Sequence, residues 1–588
     1  MRMRTLLTLS SALVLGAASA QTKVDKPFVW PAAWSDTPAQ QAKRGGELRG
    51  SQISDFKTFN PFTSAEADSI PTIMATGTSG LVRQDPRTDE FLPYMAESFT
   101  ASKDGRTYTF TLRKGMKFSD GVEITADDFV TTWKLHTDEK VGSQARDGFF
   151  IEDKPVTVKK LGKYQLQVTF PSQDVTAFAK LTFEPWPDHV WGKAYRSGGA
   201  AAVKALYALN TPAKNIVSPG AWVLSGYRPG ERASFVKNKY WGEWNKDSAG
   251  GALPYLNGQS VRIVEDTNSD LAAFLAGQTD VGPATKADNL AQIKKAIDAG
   301  SLKATLLPNV SPNATSSWIV FNWNKADDPK KQELFRNGKF RQAMSHLANR
   351  DAMVQLVFGG LGAPVYSSVY PIFSNFIPKD LPTYKYNVQA AQKLLAELGY
   401  TKKDTDGYLV NASGERLEFD LTTNAGNNER EQMAQIFADE AKKAGVKVNF
   451  NPIDFNKLVD SLTASGDKRP FDAILLGLSG GDNIWPFGSN VVPCDGGLHF
   501  WNMSGKCIAP EEEQMQKLYF QGLKESDPAK RRALGQQLAS VESKLQPVVY
   551  LAGPVYNVAY NNRVGGAMPR KLMNSYYGSR FTVLSFIK

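Results

Sequence analysis

Residues 101–133 read ASKDGRTYTFTLRKGMKFSDGVEITADDFVTTW, and this stretch determines how the whole chain is interpreted. A Lys-Asp-Gly turn at 103–105 opens it. Tyr108, Phe110 and Leu112 then alternate with polar residues, as the side chains of a half-buried strand do. The first half of the stretch therefore predicts a strand with one buried face.

The second half predicts a capped helix after a Ser-Asp-Gly turn at 119–121. Thr125 stands three residues before Asp128, so a hydroxyl and a carboxylate fall where they can cap the first helical turn and meet the positive end of its dipole. Phe129 and Trp133 supply the apolar face of the helix. Strand, turn and helix together indicate scaffold, with no catalytic constellation.

The first twenty residues predict export. Arg2 and Arg4 precede an apolar run at 6–18, and Ala-Ser-Ala at 18–20 ends the three-part pattern of a cleaved signal peptide. The run is shorter than the ~20 residues of a membrane span. No cysteine near the cleavage point could carry a lipid anchor. We expect a periplasmic or secreted protein after cleavage near Ala20.

Length and charge point to a soluble monomer of several lobes. The chain has 588 residues, more than one hydrophobic core usually supports. Its net charge of +10 is spread along the sequence without a basic block, so we expect no nucleic-acid binding.

The two cysteines, Cys494 and Cys507, lie close together in the sequence. In an exported protein such a pair predicts a disulfide, which stabilises a short loop by ~3 kcal/mol. Two sulfurs and the nearby His499 are too few ligands for a metal site. We expect no metal and no cofactor.

The second half of the chain shows α/β character. Apolar residues recur at helical spacing over 389–399 and 429–444, each segment closed by a glycine. Residues 446–450 alternate as a strand, and the apolar run at 470–476 predicts a strand buried on both faces. A partly parallel sheet covered by helices is expected there.

Four more segments join residues 101–133 in an order that resembles extracellular solute-binding protein family 5, the dipeptide and oligopeptide receptors of ABC importers. They are SPGAWVLSGYRPG at 218–230, NKYWG at 238–242, DTNSDLAAFLAGQTDV at 266–281 and FRQAMSHLANR at 340–350. The resemblance implies a non-enzymatic receptor that captures a peptide and delivers it to an ABC permease and its ATPase.

The implied fold is α/β: a two-lobed periplasmic-binding-protein fold, type II and cluster C-like, with an extra domain inserted in the first lobe and a two-stranded hinge. We expect the hinge crossings near 308–324 and 547–560. The expected divisions are a signal peptide at 1–20, an extended lead segment at 21–44 with ordered structure from 45, lobe I at 45–80, 210–310 and 556–588, an inserted domain at 81–209, and lobe II at 311–555.

The resemblance also implies where a ligand is held. In peptide-binding members an aspartate four residues before a proline pairs with the ligand's α-ammonium, and Asp482 stands four before Pro486 here. The alternative is that Asp482 caps the turn at Asn483. For the aromatic candidates at the crossings, Trp318, Tyr550 and Tyr556, the alternative interpretation is that they pack in the core. The predicted ligand-binding residues are Asp482, Asn483, Trp485, Trp318, Asn322, Tyr550 and Tyr556.

Two departures from the family pattern keep a second ligand class open. Ser479 stands where the family often has tryptophan, and Trp485 replaces an acidic residue. Because an indole can stack on a sugar face, an oligosaccharide receptor of the same fold is the alternative to a peptide receptor. A nickel- or haem-binding receptor of this family is also compatible with the sequence.

A secreted serine hydrolase is the remote alternative from another class. Residues 477–481 match the G-x-S-x-G nucleophile elbow after a strand. The elbow must open into a helix, however, and the following residues are rich in Pro, Asn and Gly. His499 is the one histidine downstream of Ser479.

Overall fold

The computed structural model describes residues 22–30, 43–64, 69–76, 78, 80–85, 90–312, 315–464, 466, 469–481, 483–566 and 582–588. The signal peptide predicted at 1–20 lies outside the described residues. Among the helices of these ranges, none combines the length and apolarity that a membrane crossing requires.

The strands of the described residues form several sheets. In chain order they are β1 (Thr22–Val24), β2 (Glu47–Gln52), β3 (Val82–Gln84), β4 (Phe91–Pro93), β5 (Ala96–Ala101), β6 (Thr107–Leu112), β7 (Phe150–Ile151), β8 (Lys154–Pro155), β9 (Thr157–Gly162), β10 (Gln165–Thr169), β11 (Trp222–Arg228), β12 (Arg232–Lys237), β13 (Gly258–Ile263), β14 (Val281–Gly282), β15 (Ala304–Ser311), β16 (Thr315–Phe321), β17 (Gly362–Pro364), β18 (Lys402–Lys403), β19 (Leu409–Val410), β20 (Glu418–Asn424), β21 (Lys447–Ile453), β22 (Ala473–Ser479), β23 (Val548–Tyr550), β24 (Ala552–Pro554), β25 (Tyr556–Asn561), β26 (Val564–Gly565) and β27 (Phe586–Ile587).

The α-helices lie between these strands and cover the larger sheets. They are α1 (Ile70–Ala75), α2 (Ala126–Thr137), α3 (Ala177–Lys180), α4 (Lys193–Ala205), α5 (Trp241–Trp244), α6 (Thr267–Leu275), α7 (Ala287–Asp298), α8 (Pro329–Arg336), α9 (Gly338–Leu347), α10 (Arg350–Phe358), α11 (Val388–Glu397), α12 (Asn428–Ala444), α13 (Phe455–Thr463), α14 (Pro510–Lys524) and α15 (Pro528–Leu545).

Residues 101–133 fold as predicted. The side chains of Tyr108, Phe110 and Leu112 are buried along β6, the middle strand of a sheet ordered β1-β5-β6-β10-β9. Helix α2 follows, and the Asp128 carboxylate accepts a hydrogen bond of 2.7 Å from the backbone N–H of Thr125. This signature stretch is therefore scaffold.

The lead segment corrects one expectation, because ordered structure begins well before residue 45. Val24 pairs with Phe99 at the edge of the β1-β5-β6-β10-β9 sheet. Trp30 is buried, and its indole N–H donates to the side chain of Asn245 at 2.9 Å. Burial of this indole and backbone pairing with a distant strand tie the segment to the folded core.

The first lobe contains two sheets, ordered β11-β12-β13-β2 and β14-β25-β15. The buried Asp280 joins its sequence-distant parts, since its carboxylate pairs with Arg49 of β2 at 2.8 Å and with Arg563 near the C-terminus at 2.6 Å. The lobe is thus closed by segments from both ends of the chain.

The second lobe is built on a mixed sheet ordered β21-β20-β22-β16-β23. Strand β20 pairs in parallel with both β21 and β22, whereas β16 is antiparallel to β22. The predicted helices at 389–399 and 429–444 are confirmed as α11 and α12, and Gly445 ends α12 in the left-handed conformation. The predicted strands correspond to β21 and β22.

The chain crosses between the two lobes twice in the described residues. It leaves the β14-β25-β15 sheet at the end of β15 and enters the mixed sheet at β16, and it returns between β23 and β25. Both crossings fall inside the expected ranges 308–324 and 547–560. The fold is two-lobed and mixed α/β, while the domain boundaries within it stay a prediction.

Candidate ligand-binding cleft

A cavity of about 580 Å³ lies where the two lobes face each other. Its walls come from both lobes and from the two crossing segments. They mix apolar side chains with hydroxyl, amide and charged groups of both signs. The lining residues are Gln52, Ile53, Ser54, Asp55, Phe56, Lys57, Ser69, Thr285, Pro312, Thr315, Ser316, Ser317, Phe358, Asn424, Asn427, Glu429, Arg430, Phe455, Val459, Leu462, Thr463, Leu476, Gly477, Leu478, Leu498, Phe500, Pro554, Val555 and Tyr556.

The second-lobe wall lies at one edge of the mixed sheet. The carboxyl ends of β20 and β22 meet there with the amino end of β16, because Thr315 of β16 pairs with Ser479 of β22. Ligands of open α/β sheets characteristically bind outside the carboxyl ends of the parallel strands. The topology thus brings the start of α12, which follows β20, into the cavity wall.

Arg430 places a positive charge in this wall. It lies in the first turn of α12, and its Nη1 donates to Oδ1 of Asn424 at 2.9 Å. Gly477 leaves room beside the guanidinium, since an added Cβ there would lie 3.0 Å from it and 3.1 Å from the carbonyl of Ser316. The guanidinium is therefore held by Asn424 at the edge of the sheet.

The first-lobe wall is the segment after β2. The Asp55 carboxylate accepts hydrogen bonds from the Tyr227 hydroxyl at 2.9 Å and from the Gly230 N–H at 2.7 Å, so it anchors the β11–β12 hairpin. Phe56 packs edge to face on Tyr227 with ring centroids 6.1 Å apart. This carboxylate is a built part of the cavity wall.

Side chains bridge the two lobes beside the cavity. The hydroxyl of Thr285 donates to the carboxylate of Glu429, and Lys57 forms an ion pair with Asp460. Burial raises the pKa of Glu429, although the Thr285 hydrogen bond and the charge of Arg430 act in the opposite direction. We interpret this structure, in which the two lobes are in contact beside the cavity, as the closed form of the cleft.

Of the residues predicted at the crossings, Tyr556 lines the cavity. Trp318 is buried behind that lining, with its ring 5.6 Å from the ring of Phe500. Asn322 is buried and donates to the backbone carbonyls of 469 and 471, while Tyr550 donates to Glu542 at 2.8 Å. The surroundings of Trp318 and Tyr550 match core packing, the alternative interpretation of the aromatic candidates.

The predicted anchor region is placed only in part. Asp482 lies outside the described residues, and Asn483 is exposed and does not line the cavity. Trp485 is 2% exposed and packs on Phe487 and Tyr519 with centroids 4.8 and 6.2 Å away. Its indole fills the core of the second lobe and is absent from the cavity lining, because helix α14 covers it.

Sequence reasoning missed Arg430, Asn424 and Asn427. A usable signal was present, because Phe419, Leu421 and Thr423 alternate as buried positions along β20. If β20 is recognised as a strand that precedes the predicted helix at 429–444, the polar residues between them fall at the carboxyl end of that strand.

The disulfide between Cys494 and Cys507 is confirmed. Beside it, His499 is fully buried with Nδ1 2.8 Å from the carbonyl of Val491 and Nε2 2.9 Å from the carboxylate of Glu512. Both ring nitrogens are thus engaged within the loop. Among the described residues the next helix after β22 is α14, so a nucleophile elbow is not formed.

Within the described ranges, no three or more His, Cys, Asp and Glu side chains are grouped as a metal ion would require. A cleft between two α/β lobes joined by two crossing segments defines the class of protein, which is one with the periplasmic-binding-protein fold.

Comparison with known proteins gives the family. A model described as "Bacterial extracellular solute-binding proteins, family 5 Middle" matches residues 90–490. A probable ABC transporter-binding protein of Deinococcus radiodurans is 45% identical over 594 residues, covering 98% of this chain and 99% of that protein. The chain belongs to solute-binding protein family 5, whose members are extracellular or periplasmic and work with ABC permease and ATPase components.

Two solved structures share the fold. The oligopeptide-binding protein AppA of Bacillus subtilis, in complex with a nonapeptide, has a TM-score of 0.77 at 23% identity, covering 93% of this chain and 100% of that one. The periplasmic binding protein MelB of Agrobacterium fabrum, in complex with stachyose, has a TM-score of 0.78 at 23% identity, covering 93% and 85%.

Proposed function

We propose that this receptor captures short peptides with free termini between its lobes and delivers them to an ABC permease. The observation that carries the proposal is the mixed charge of the cavity, where Arg430 and Lys57 share the lining with Asp55 and Glu429. A zwitterionic ligand matches such a lining, because each of its charged ends can make a charge-assisted hydrogen bond with a group of opposite sign.

The aromatic lining also favours a peptide. Its described aromatic side chains are phenylalanines and Tyr556, with no indole among them. Stacked indoles with neutral hydrogen-bonding groups would have favoured a sugar. The volume of about 580 Å³ lies inside the roughly 300–1,000 Å³ of small-ligand pockets, which suits a short peptide.

Two anchors follow for the ligand termini. Arg430 binds the terminal carboxylate through its planar fork, in a charge-assisted contact. Asp482, to which the resemblance to peptide-binding members of the family assigns the α-ammonium, pairs with the other end. Tyr556, which lines the cavity, contacts the ligand.

A thermal-shift screen of the mature protein tests the function. The probes are tri- to pentapeptides with free termini, the same peptides N-acetylated or C-amidated, and malto- and cello-oligosaccharides. A free peptide at 100-fold its Kd should stabilise the protein by ~2.7 kcal/mol and raise the midpoint by a few degrees. If only the sugars raise the midpoint, the peptide proposal is wrong.

Matched variants test the anchors. Arg430→Gln should abolish the preference for free over amidated C-termini, whereas Lys442→Gln, at the exposed far end of α12, should keep it. Asp482→Asn should abolish the preference for free over acetylated N-termini, with the exposed Asp380→Asn as its control. If wild-type protein binds peptides with free and with amidated C-termini equally well, the proposed role of Arg430 is wrong.

A further inference from the structure

A second set of contacts joins the domain inserted in the first lobe to the second lobe, at the β1-β5-β6-β10-β9 side of the molecule. Asp147 lies in the short 3-10 turn Arg146–Phe149 before β7. Its Oδ2 accepts a hydrogen bond of 2.6 Å from the backbone N–H of Gly497, which belongs to the disulfide loop of the second lobe. An ionised acceptor makes this bond stronger than a neutral one.

Two further contacts lie beside it. The backbone N–H of Val175 donates to the carbonyl of Leu523 at 2.9 Å, and Lys524 forms an ion pair of 2.6 Å with Glu152. Both partners of that ion pair are substantially exposed, so it contributes little by itself. The half-buried Asp147 therefore carries most of the charge-assisted attraction across this interface.

The Asp147 contact is linked directly to the ligand cavity. Gly497 is followed by Leu498, which lines the cavity and whose N–H bonds to the carbonyl of Asn490 at 2.8 Å. Phe500 of the same loop also lines the cavity. The loop is held rigidly, because the disulfide closes it and Glu512 accepts hydrogen bonds from three of its side chains.

We propose that Asp147 is a positioning residue of the closed receptor, a clasp that binds Gly497 next to the cavity-lining Leu498 and favours the closed form without touching the ligand. The proposal rests on the receptor function proposed above. Because the contact joins the domain inserted in the first lobe to the second lobe, hinge opening breaks it, and it therefore stabilises the closed form alone.

The pair of Glu152 and Lys524 offers a direct readout of closure in the unmodified protein. A water-soluble carbodiimide joins a carboxylate and an amine only when they touch, by forming an amide with loss of water to the reagent. Mass spectrometry of tryptic peptides then identifies the bond between these two residues. Wild type should form this cross-link, and its complete absence would overturn the proposal.

Variants separate the clasp from general stability. Asp147→Ala should lower the initial cross-linking rate about ten-fold, the effect of losing one charge-assisted hydrogen bond. Asp147→Asn keeps an acceptor oxygen, so its cross-linking rate should lie between those of Asp147→Ala and wild type. Asp153 is exposed in the nearby β7–β8 turn, and the rate of Asp153→Ala should equal that of wild type. An Asp147→Ala rate equal to that of wild type would overturn the proposal.

Adding an equimolar mixture of tri- to pentapeptides with free termini distinguishes the clasp from the function. Peptides should raise the cross-linking rate in wild type. If the cross-link forms and depends on Asp147 but peptides leave its rate unchanged, the clasp stands and the peptide function fails. If peptides shift the thermal midpoint but Asp147 has no effect on the rate, the function stands and the clasp fails.

Discussion

His136 is a buried histidine whose surroundings exclude charge. Its ring lies between Phe62 and Phe149, with centroids 4.8 and 5.1 Å away, and Nδ1 is 2.6 Å from the hydroxyl of Ser143. Burial lowers the pKa of His136 to about 3. The folded protein therefore keeps this ring neutral at pH values where an unfolded chain protonates it.

A pH dependence of stability follows. The folded pKa lies below the unfolded value of ~6.5, so the contribution of His136 is complete above that pH and is lost as the pH falls towards 3, at ~1.4 kcal/mol per unit. His136→Gln should flatten the fall of the denaturant midpoint between pH 6.5 and 4.5, because glutamine gains no proton over that range. Equal slopes in wild type and His136→Gln would contradict this assignment.

At the scale of elements, the disulfide loop and α14 form one stabilised unit. Glu512, in the first turn of α14, is fully buried and accepts hydrogen bonds from His499 at 2.9 Å and from Trp501 at 2.8 Å. Burial raises the pKa of Glu512, but His499 and the other donors outweigh it, so the pKa is held below its usual range. The loop therefore has two independent supports.

Removing one support should weaken the loop without unfolding the protein. The double variant Cys494→Ser, Cys507→Ser loses a short cross-linked loop and should cost ~3 kcal/mol. Its thermal midpoint should fall and become insensitive to dithiothreitol, whereas the wild-type midpoint should fall on reduction to the level of the variant. A reduced wild type as stable as the oxidised form would contradict the prediction.

Local patterns explain which elements could be read from the sequence. Strand β6, helices α2, α11 and α12 and strand β22 carry their own periodicity, caps and stops, and all five were predictable. Strand β1 was missed because its pairing with β5 is a long-range contact that the short sequence TKV does not encode.

Site residues were harder to predict than elements. Trp485 appeared as a cleft wall because aromatic residues near a predicted anchor suit ligand contact, yet the packing of α14 on the second lobe buries it. Arg430 lies on the lining because β20 and α12 meet at the edge of the sheet, a fact of topology that needs the strand order.

At the scale of the whole molecule, two sets of contacts describe a closed receptor. Lys57 pairs with Asp460, and Asp147 bonds separately to Gly497. A ligand favours this form only through contacts that it makes there and not in the open form. The lining residues and the Asp147 contact therefore act on the same equilibrium between open and closed forms. The lining residues select the ligand, whereas the Asp147 contact favours closure whatever the ligand.

Small-angle X-ray scattering of the mature protein, with and without the mixture of tri- to pentapeptides, tests capture by closure most directly. The radius of gyration should fall when the peptides are added, to the value calculated from the closed structure, and an equal concentration of malto-oligosaccharides should leave it unchanged. A radius that does not respond to peptides, or that contracts with the sugars alone, would contradict the account.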